Sequence, residues 1–197
     1  MVLDRVFDGC HTGLYVDVGA HHPWRFSNTY AFYRRGWSGV NIDPTPGVMA
    51  HFGKARPRDV NLEIGISRDG RGTILFMFDD PAMNTMDPRL AAERGQGPWL
   101  LIREVPVATA RLADVLDKHV EGKIDFLNVD VEGLDQEVLE SNDWERSRPY
   151  IVLVELFGRS MAEVVDSTVA SLLAKQDYEL FAKTVNTAFF RDRSSGG

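Results

Sequence analysis

Two stretches of this 197-residue chain, KIDFLNVD at 123–130 and YIVLVELF at 150–157, are apolar almost without interruption. A strand with one wet face alternates apolar and polar residues, whereas runs like these belong to strands buried on both faces. Shorter runs fit the same plan: LYVDV at 14–18, SGVNID at 38–43 and DVNLEIGIS at 59–67. Helical spans lie between them. One covers 27–35, opened by Ser27 or Asn28 and stopped by Gly36; others cover 48–55 and 111–119, the latter with Leu112, Val115 and Leu116 on one face. A further helix falls near 135–140, and 161–175 reads as a single amphipathic helix with Val164, Val165, Thr168 and Leu172 inward. Strands alternating with helices predict a doubly wound α/β domain with a mostly parallel sheet.

Three segments depart from that rhythm. TILFMF at 73–78, after the turn DGRG, predicts an antiparallel excursion, and YELFAK with NTAFFR predicts a C-terminal edge hairpin turning through Thr184 and Val185. Residues 79–98 are rich in proline and glycine and read as a long loop, a mobile lid in which Asn84 and Thr85 offer hydrogen bonds to a ligand. With neither repeat nor linker, residues 1–192 form one domain, and 193–197 are set aside as a disordered tail.

Composition narrows the function. Net charge is −7, and the only basic clusters, RRG at 34–36 and KARPR at 54–58, are too short for a phosphate-backbone binder, so nucleic acid is not the expected partner. Cys10 is the sole cysteine, which excludes an intramolecular disulfide and a cysteine-rich zinc site. Neither a secretory leader nor a membrane-length apolar run is present, so the expected setting is cytoplasmic, without membrane association. A homodimer is the assembly considered.

In a sheet of this kind ligands lie beyond the carboxyl ends of the strands, where strand order reverses. Acidic residues stand at those ends in succession: Asp17 ahead of Gly19, then Asp43, Glu63, Asp130 with Glu132, and Glu155. One such residue can serve as a helix cap. A succession at the ends of apolar runs calls for ligand hydroxyls, a cation or a metal. Gly19 starts a nucleotide-binding turn, but G-x-G-x-x-G is not completed, because His21 and Trp24 occupy the later glycine positions. A pyrophosphate is therefore not expected, whereas Asp43 suits a ribose diol. Ribose without pyrophosphate, in a carboxylate-rich pocket that tolerates a positive centre, fits S-adenosylmethionine. Asp17, Gly19, Ser27, Asn28, Asp43, Glu63 and Asp130 are the expected cofactor-binding residues.

The segments YVDVGAHHP, SNTYAFYRRGWSGVNIDPTPG, RPRDVNLEIGIS and KIDFLNVDVEGLDQEVL, in that order over residues 15–139 and extended by IVLVEL, resemble the FkbM-type S-adenosylmethionine-dependent methyltransferases. The resemblance implies a Rossmann-like class I methyltransferase fold with a seven-stranded sheet, and O-methylation of a sugar or polyketide hydroxyl. A further likeness is to small sugar 1-O-methyltransferases, which implies a carbohydrate acceptor.

Methyl transfer to a hydroxyl requires removal of its proton, by a general base or with help from a divalent metal. His22 is the expected base, with His21 in reserve. Asp130, Glu132 and Glu155 offer hard oxygen ligands for Mg²⁺, making Asp130 and Glu155 catalytic as well. Trp24, Phe26, Tyr30 and Tyr33 could stack on a sugar face or pack in the core. Competing readings are methylation of a non-sugar hydroxyl, an NAD-dependent oxidoreductase, a scaffold module and a nucleic-acid methyltransferase.

Overall fold

The computed structural model describes residues 2–156 and 160–194; Phe157, the last residue of the longest apolar run, and 195–197 of the tail lie outside them. In chain order the elements are α1 (Val2–Val6), β1 (Leu14–Val18), α2 (Tyr30–Arg34), β2 (Ser38–Ile42), α3 (Val48–Ala55), β3 (Val60–Leu62), β4 (Gly65–Ile66) and β5 (Thr73–Phe78). A short 3₁₀ turn (Pro81–Met83) leads to α4 (Pro88–Arg94), β6 (Leu101–Val107), β7 (Thr109–Ala110), α5 (Leu112–His119), β8 (Phe126–Val129) and α6 (Asp135–Glu140). β9 (Ile151–Glu155), α7 (Met161–Val165), α8 (Thr168–Lys175), β10 (Tyr178–Lys183) and β11 (Thr187–Asp192) complete the chain.

Seven strands form the main sheet in the order β10-β11-β9-β8-β1-β2-β3. All pairings are parallel except those of β11, which is antiparallel to both β9 and β10. The C-terminal hairpin is therefore present, with its antiparallel strand one place in from the rim. β1 pairs with β2 on one side and β8 on the other, so strand order reverses there. Successive side chains along each strand serve opposite faces. Val16 and Val18 pack with Leu112, Val115, Val138 and Leu173, while Tyr15 packs with Leu3, Phe7, Phe32 and Trp37 on the opposite face. Each apolar side chain fully buried in this way contributes roughly 1.5–3 kcal/mol.

Several boundaries differ from the sequence expectation, each for a local reason. The run 59–67 divides into β3 in the main sheet and β4, which pairs with β7 in a separate sheet. Gly65 allows that departure, since a Cβ there would lie 2.6 Å from the sulfur of Met86. The helix expected over 27–35 begins only at Tyr30, because Ser27 Oγ accepts the amides of Thr29 and Tyr30 at 3.3 and 3.1 Å and holds the chain in a turn. The helix expected over 161–175 breaks at Asp166–Ser167, where Ser167 caps α8 through the Ala170 amide at 3.1 Å. That break turns Val169 and Leu173 inward and leaves Val165 and Thr168 exposed.

The long loop expected over 79–98 contains the 3₁₀ turn and α4. Two of its three prolines, Pro81 and Pro88, are helix starters rather than breakers, while Pro98 lies outside any helix. Asp87 accepts the Arg89 amide at 2.8 Å, and Pro88 takes the first helical position, where an N–H would have no partner anyway. β5 and β6 form the expected antiparallel excursion. At the chain's end, Arg193 donates its amide to the Asp177 carbonyl and pairs with the Asp177 side chain, while Ser194 bonds to Asp192.

Candidate active site

A cavity of about 450 Å³ opens over the carboxyl ends of β1, β2, β8 and β9, where strand order reverses. Its size lies within the range of small-molecule sites. Gly19, His21, Asp43, Asp130, Glu155 and Asn186 are among its lining residues.

A buried polar row supports the floor. Asp17 on β1 lies in register with Asn41 on β2 and Asn128 on β8. Both Asp17 oxygens are committed within the protein, to the Thr29 hydroxyl at 2.7 Å and the Asn128 amide at 2.9 Å; Asn128 in turn accepts from Asn28 at 3.0 Å. Burial raises the Asp17 pKa above the usual carboxylate range, opposed by the Thr29 hydrogen bond and by Arg56. Arg56 is wholly enclosed; it donates to Asp59 at 2.8 Å, Tyr15 at 2.7 Å and Thr29 at 3.0 Å. Asp17 thus shapes the turn from below rather than presenting a free carboxylate. Arg56, one of the arginines in KARPR, had no distinguishing signal in the sequence; Asn128, a polar residue within an apolar run, had one.

Gly19 meets two demands at once. Its φ is +83°, and a Cβ would lie 1.7 Å from the Asp130 carbonyl oxygen. Neither the conformation nor the close approach admits a side chain. Asp43 joins the turns after β1 and β2, accepting the amides of His21 at 2.9 Å and Thr45 at 2.8 Å. Ser27 and Asn28 also line the cavity. Glu63 does not; its carboxylate accepts the Gly47 amide at 2.8 Å, before the first turn of α3.

The histidines separate. His21 lines the cavity with φ 50°. His22 is absent from the lining, and its Nδ1 accepts the amides of Trp24 at 3.3 Å and Arg25 at 3.1 Å. That use of Nδ1 fixes the neutral ring with its proton on Nε2. Burial, followed by the charges of His21, Arg25 and His51, lowers its pKa. His22 therefore caps a turn, and His21 is the histidine the fold presents to the cavity. Of the four aromatics considered for stacking, Phe26 alone lines it, at 81% exposure, whereas Tyr33 is buried in the core.

Asp130, Glu132 and Glu155 come together, with one carboxylate oxygen from each lying within 4.8 Å of the others. Burial, then the neighbouring Glu155 charge, raises Asp130; burial, then Glu132, raises Glu155. Two carboxylates this close share a proton or need a cation. Glu132, at φ 55°, pairs with Arg94 of α4, and its carbonyl accepts the Thr85 hydroxyl at 2.8 Å. Arg94 also donates to the Met83 carbonyl at 2.6 Å. Asn84 bonds to the Phe78 amide at 2.9 Å and to Thr45 at 3.4 Å, so Asn84 and Thr85 hold the cover in place. Behind the cluster, Asp135 accepts the Val131 amide at 3.2 Å and is pushed up to about 7 by burial.

A doubly wound sheet with strand order β3-β2-β1-β8-β9-β11-β10, a glycine turn after the first strand and an acidic residue closing the second is the architecture expected of a class I methyltransferase. The chain belongs to the methyltransferase FkbM domain family, whose model matches residues 17–180. That membership sets aside the oxidoreductase reading. Among solved structures, the chain is similar to a TehB-like S-adenosylmethionine-dependent methyltransferase from Corynebacterium glutamicum at 10% identity, with TM-score 0.44, covering 92% of this chain and 80% of that one. It is also similar to the small RNA methyltransferase HEN1 at 12% identity, with TM-score 0.45, covering 99% of this chain and only 25% of that one. No curated protein sequence matches it. Among the described residues, no helix is long and apolar enough to cross a membrane.

Proposed function

We propose that this methyltransferase uses S-adenosylmethionine to methylate a hydroxyl of a small acceptor of the carbohydrate type. The observation that carries this reading is the Asp130–Glu155 pair, a proton-accepting group on the cavity lining beside the Gly19 turn.

S-adenosylmethionine supplies a methyl group on a sulfonium. Asp43 keeps free lone pairs on both carboxylate oxygens for the ribose hydroxyls, and the Gly19 backbone on the cavity lining would lie against the nucleoside. Ser27 and Asn28 bound the side of the cavity adjoining that turn. The ionised member of the Asp130–Glu155 pair takes the acceptor proton as the oxygen forms its bond to the methyl carbon; the carbon–sulfur bond breaks with its electrons retained on sulfur. His21 is the alternative proton acceptor. Three converging carboxylates form a hard-oxygen donor set suited to Mg²⁺. A divalent ion held by Asp130, Glu132 and Glu155 would offset their repulsion and acidify the hydroxyl.

Calorimetry with S-adenosylhomocysteine tests the donor half. Asp43→Ala removes two hydrogen bonds worth roughly 1.5–3 kcal/mol each, so affinity should fall at least tenfold; unchanged affinity would place the ribose elsewhere. For the acceptor half, labelled methyl transfer to methyl α-D-mannopyranoside and to catechol separates a sugar from an aromatic hydroxyl. EDTA should abolish turnover and leave donor affinity unchanged. Full activity in EDTA removes the metal and leaves the carboxylates and His21 to take the proton.

A further inference from the structure

Asn186 precedes β11, in the turn that follows β10. Its carbonyl accepts the Leu156 amide at 2.7 Å, fixing the turn against the end of β9, and the next residue, Thr187, pairs in register with Glu155. Both Asn186 and Thr187 line the cavity. The Asn186 Oδ1 is buried without a hydrogen-bond partner. Among the described residues three other buried side-chain atoms share that condition, Asn41 Oδ1, Asn142 Oδ1 and Arg148 Nε, and none of those residues lines this cavity. A buried amide oxygen left unpaired is costly, and because the residue lines the cavity, a turn of its side-chain amide toward that space would let a ligand donor relieve the cost.

The chemistry of the group narrows the ligand. An amide accepts through oxygen and donates through nitrogen, which matches a hydroxyl, itself both donor and acceptor. Asp130 and Glu155 hold the hydroxyl that reacts, and Asn186 stands beside them through the pairing of Thr187 with Glu155. We propose that Asn186 is a specificity-determining residue that reads a second hydroxyl on the carbon next to the methylated one, so that the enzyme selects vicinal diols over lone hydroxyls. The proposal rests on the hydroxyl-methylation reading above. It also explains how a short turn, with no added substrate domain among the described residues, could discriminate acceptors: a site built to hydrogen-bond a hydroxyl rejects an analogue lacking it.

The test uses the full chain saturated with S-adenosylhomocysteine and four probes: cis- and trans-cyclohexane-1,2-diol, cyclohexanol and methyl α-D-mannopyranoside. Binding is followed in every variant by the Asp130 and Gly19 backbone amide resonances in NMR, and in the parent also by the Asn186 side-chain amide, assigned by its loss in Asn186→Leu. At least one diol and the mannoside should move that resonance and bind at least tenfold more tightly than cyclohexanol. In Asn186→Leu, and in Asn186→Ala should the leucine variant fail to fold, the preference should shrink to about twofold, with S-adenosylhomocysteine affinity unchanged. Probes that bind without diol preference, or a preference that survives both substitutions, overturn the proposal and leave hydroxyl methylation standing. A matching loss of S-adenosylhomocysteine affinity also overturns it, by assigning Asn186 to the donor. If S-adenosylhomocysteine binds and none of the four probes moves the Asp130 or Gly19 amides, the hydroxyl reading falls and takes this proposal with it.

Discussion

Beneath the cavity, Asp17, Thr29, Arg56, Asp59 and Asn128 are all buried and tied to one another by hydrogen bonds. Above it, the segment from β4 to β7 brings Trp99, Leu100, Leu101 and Ile102 to the surface, with Leu100 64% and Ile102 60% exposed. The floor is cross-linked by strands far apart in sequence, so no member of the row can move without leaving a buried partner unsatisfied. The cover consists of two two-stranded sheets and short helices, and isolated pairs of strands hold together weakly in water. It meets the floor through Thr85 on the Glu132 carbonyl, Asn84 on Thr45 and Arg94 on Glu132. Under the proposed function, the rigid base would hold the donor and the more lightly tethered cover would admit the acceptor. That division predicts large global effects below the cavity and smaller local ones above it.

Arg56→Met should give the largest effect. It leaves Asp17, Asp59 and the Tyr15 hydroxyl buried without their shared cation, and breaking a buried pair from one side costs about 3–5 kcal/mol. Urea denaturation should show that loss in a single transition. A change below about 1 kcal/mol would mean the floor tolerates the orphaned acids, and the contrast with the cover would collapse.

Asp135 lies where floor meets cover, on the Val131 amide just beyond Asp130. Its folded pKa is pushed up from 3.8 to about 7 by burial, so the folded protein holds a proton that the unfolded chain releases. The stability this gives is fully present below pH 4, lost as pH rises from about 4 to 7, and flat above that. The drop is roughly 2–4 kcal/mol, and Asp135→Asn should remove that part of the slope. Parallel stability–pH curves for the two proteins would show that Asp135 does not titrate in this window.

What could be read from the chain follows the same contrast. β1 and α3 stand where the apolar runs and the turn PTPG place them, because strands buried on both faces leave their composition in the sequence. The acidic strand ends could be read in the same way, and Asp130, Glu132 and Glu155 do converge. Glu63 does follow β3, but β3 is the rim strand, and the Glu63 carboxylate accepts the Gly47 amide instead of lining the cavity. In the cover, the prolines of 79–98 mark helix starts as well as breaks, and proline alone does not tell which. His21 and His22 are adjacent and chemically identical; only the left-handed turn at His21 and the amides gathered by His22 separate their roles. Arg56 stood out only as one member of the short basic cluster KARPR, since nothing local reveals that a charge is paired across three elements.

Arg94→Met should give the smallest change and the one most confined in space. Arg94 ties α4 to Glu132 and to the Met83 carbonyl, both within or beside the cover. Losing these bonds should lower the cost of opening the cover by about 1–2 kcal/mol, a five- to thirtyfold faster amide exchange. The Thr85 and Phe76 amides, which pair with each other's carbonyls, report on that opening. Amides of β1 and β8 should keep their protection, because none of their bonds passes through α4. The substitution also removes a positive charge that holds Glu155 down, so the Glu155 pKa should rise further and the alkaline shift should appear in the pH profile of methyl transfer. Equal loss of protection in β8 and at Thr85 would make floor and cover one cooperative unit. Unchanged exchange at Thr85 would mean that Thr85 and Asn84 alone hold the cover closed, and that Arg94 serves the acids rather than the lid.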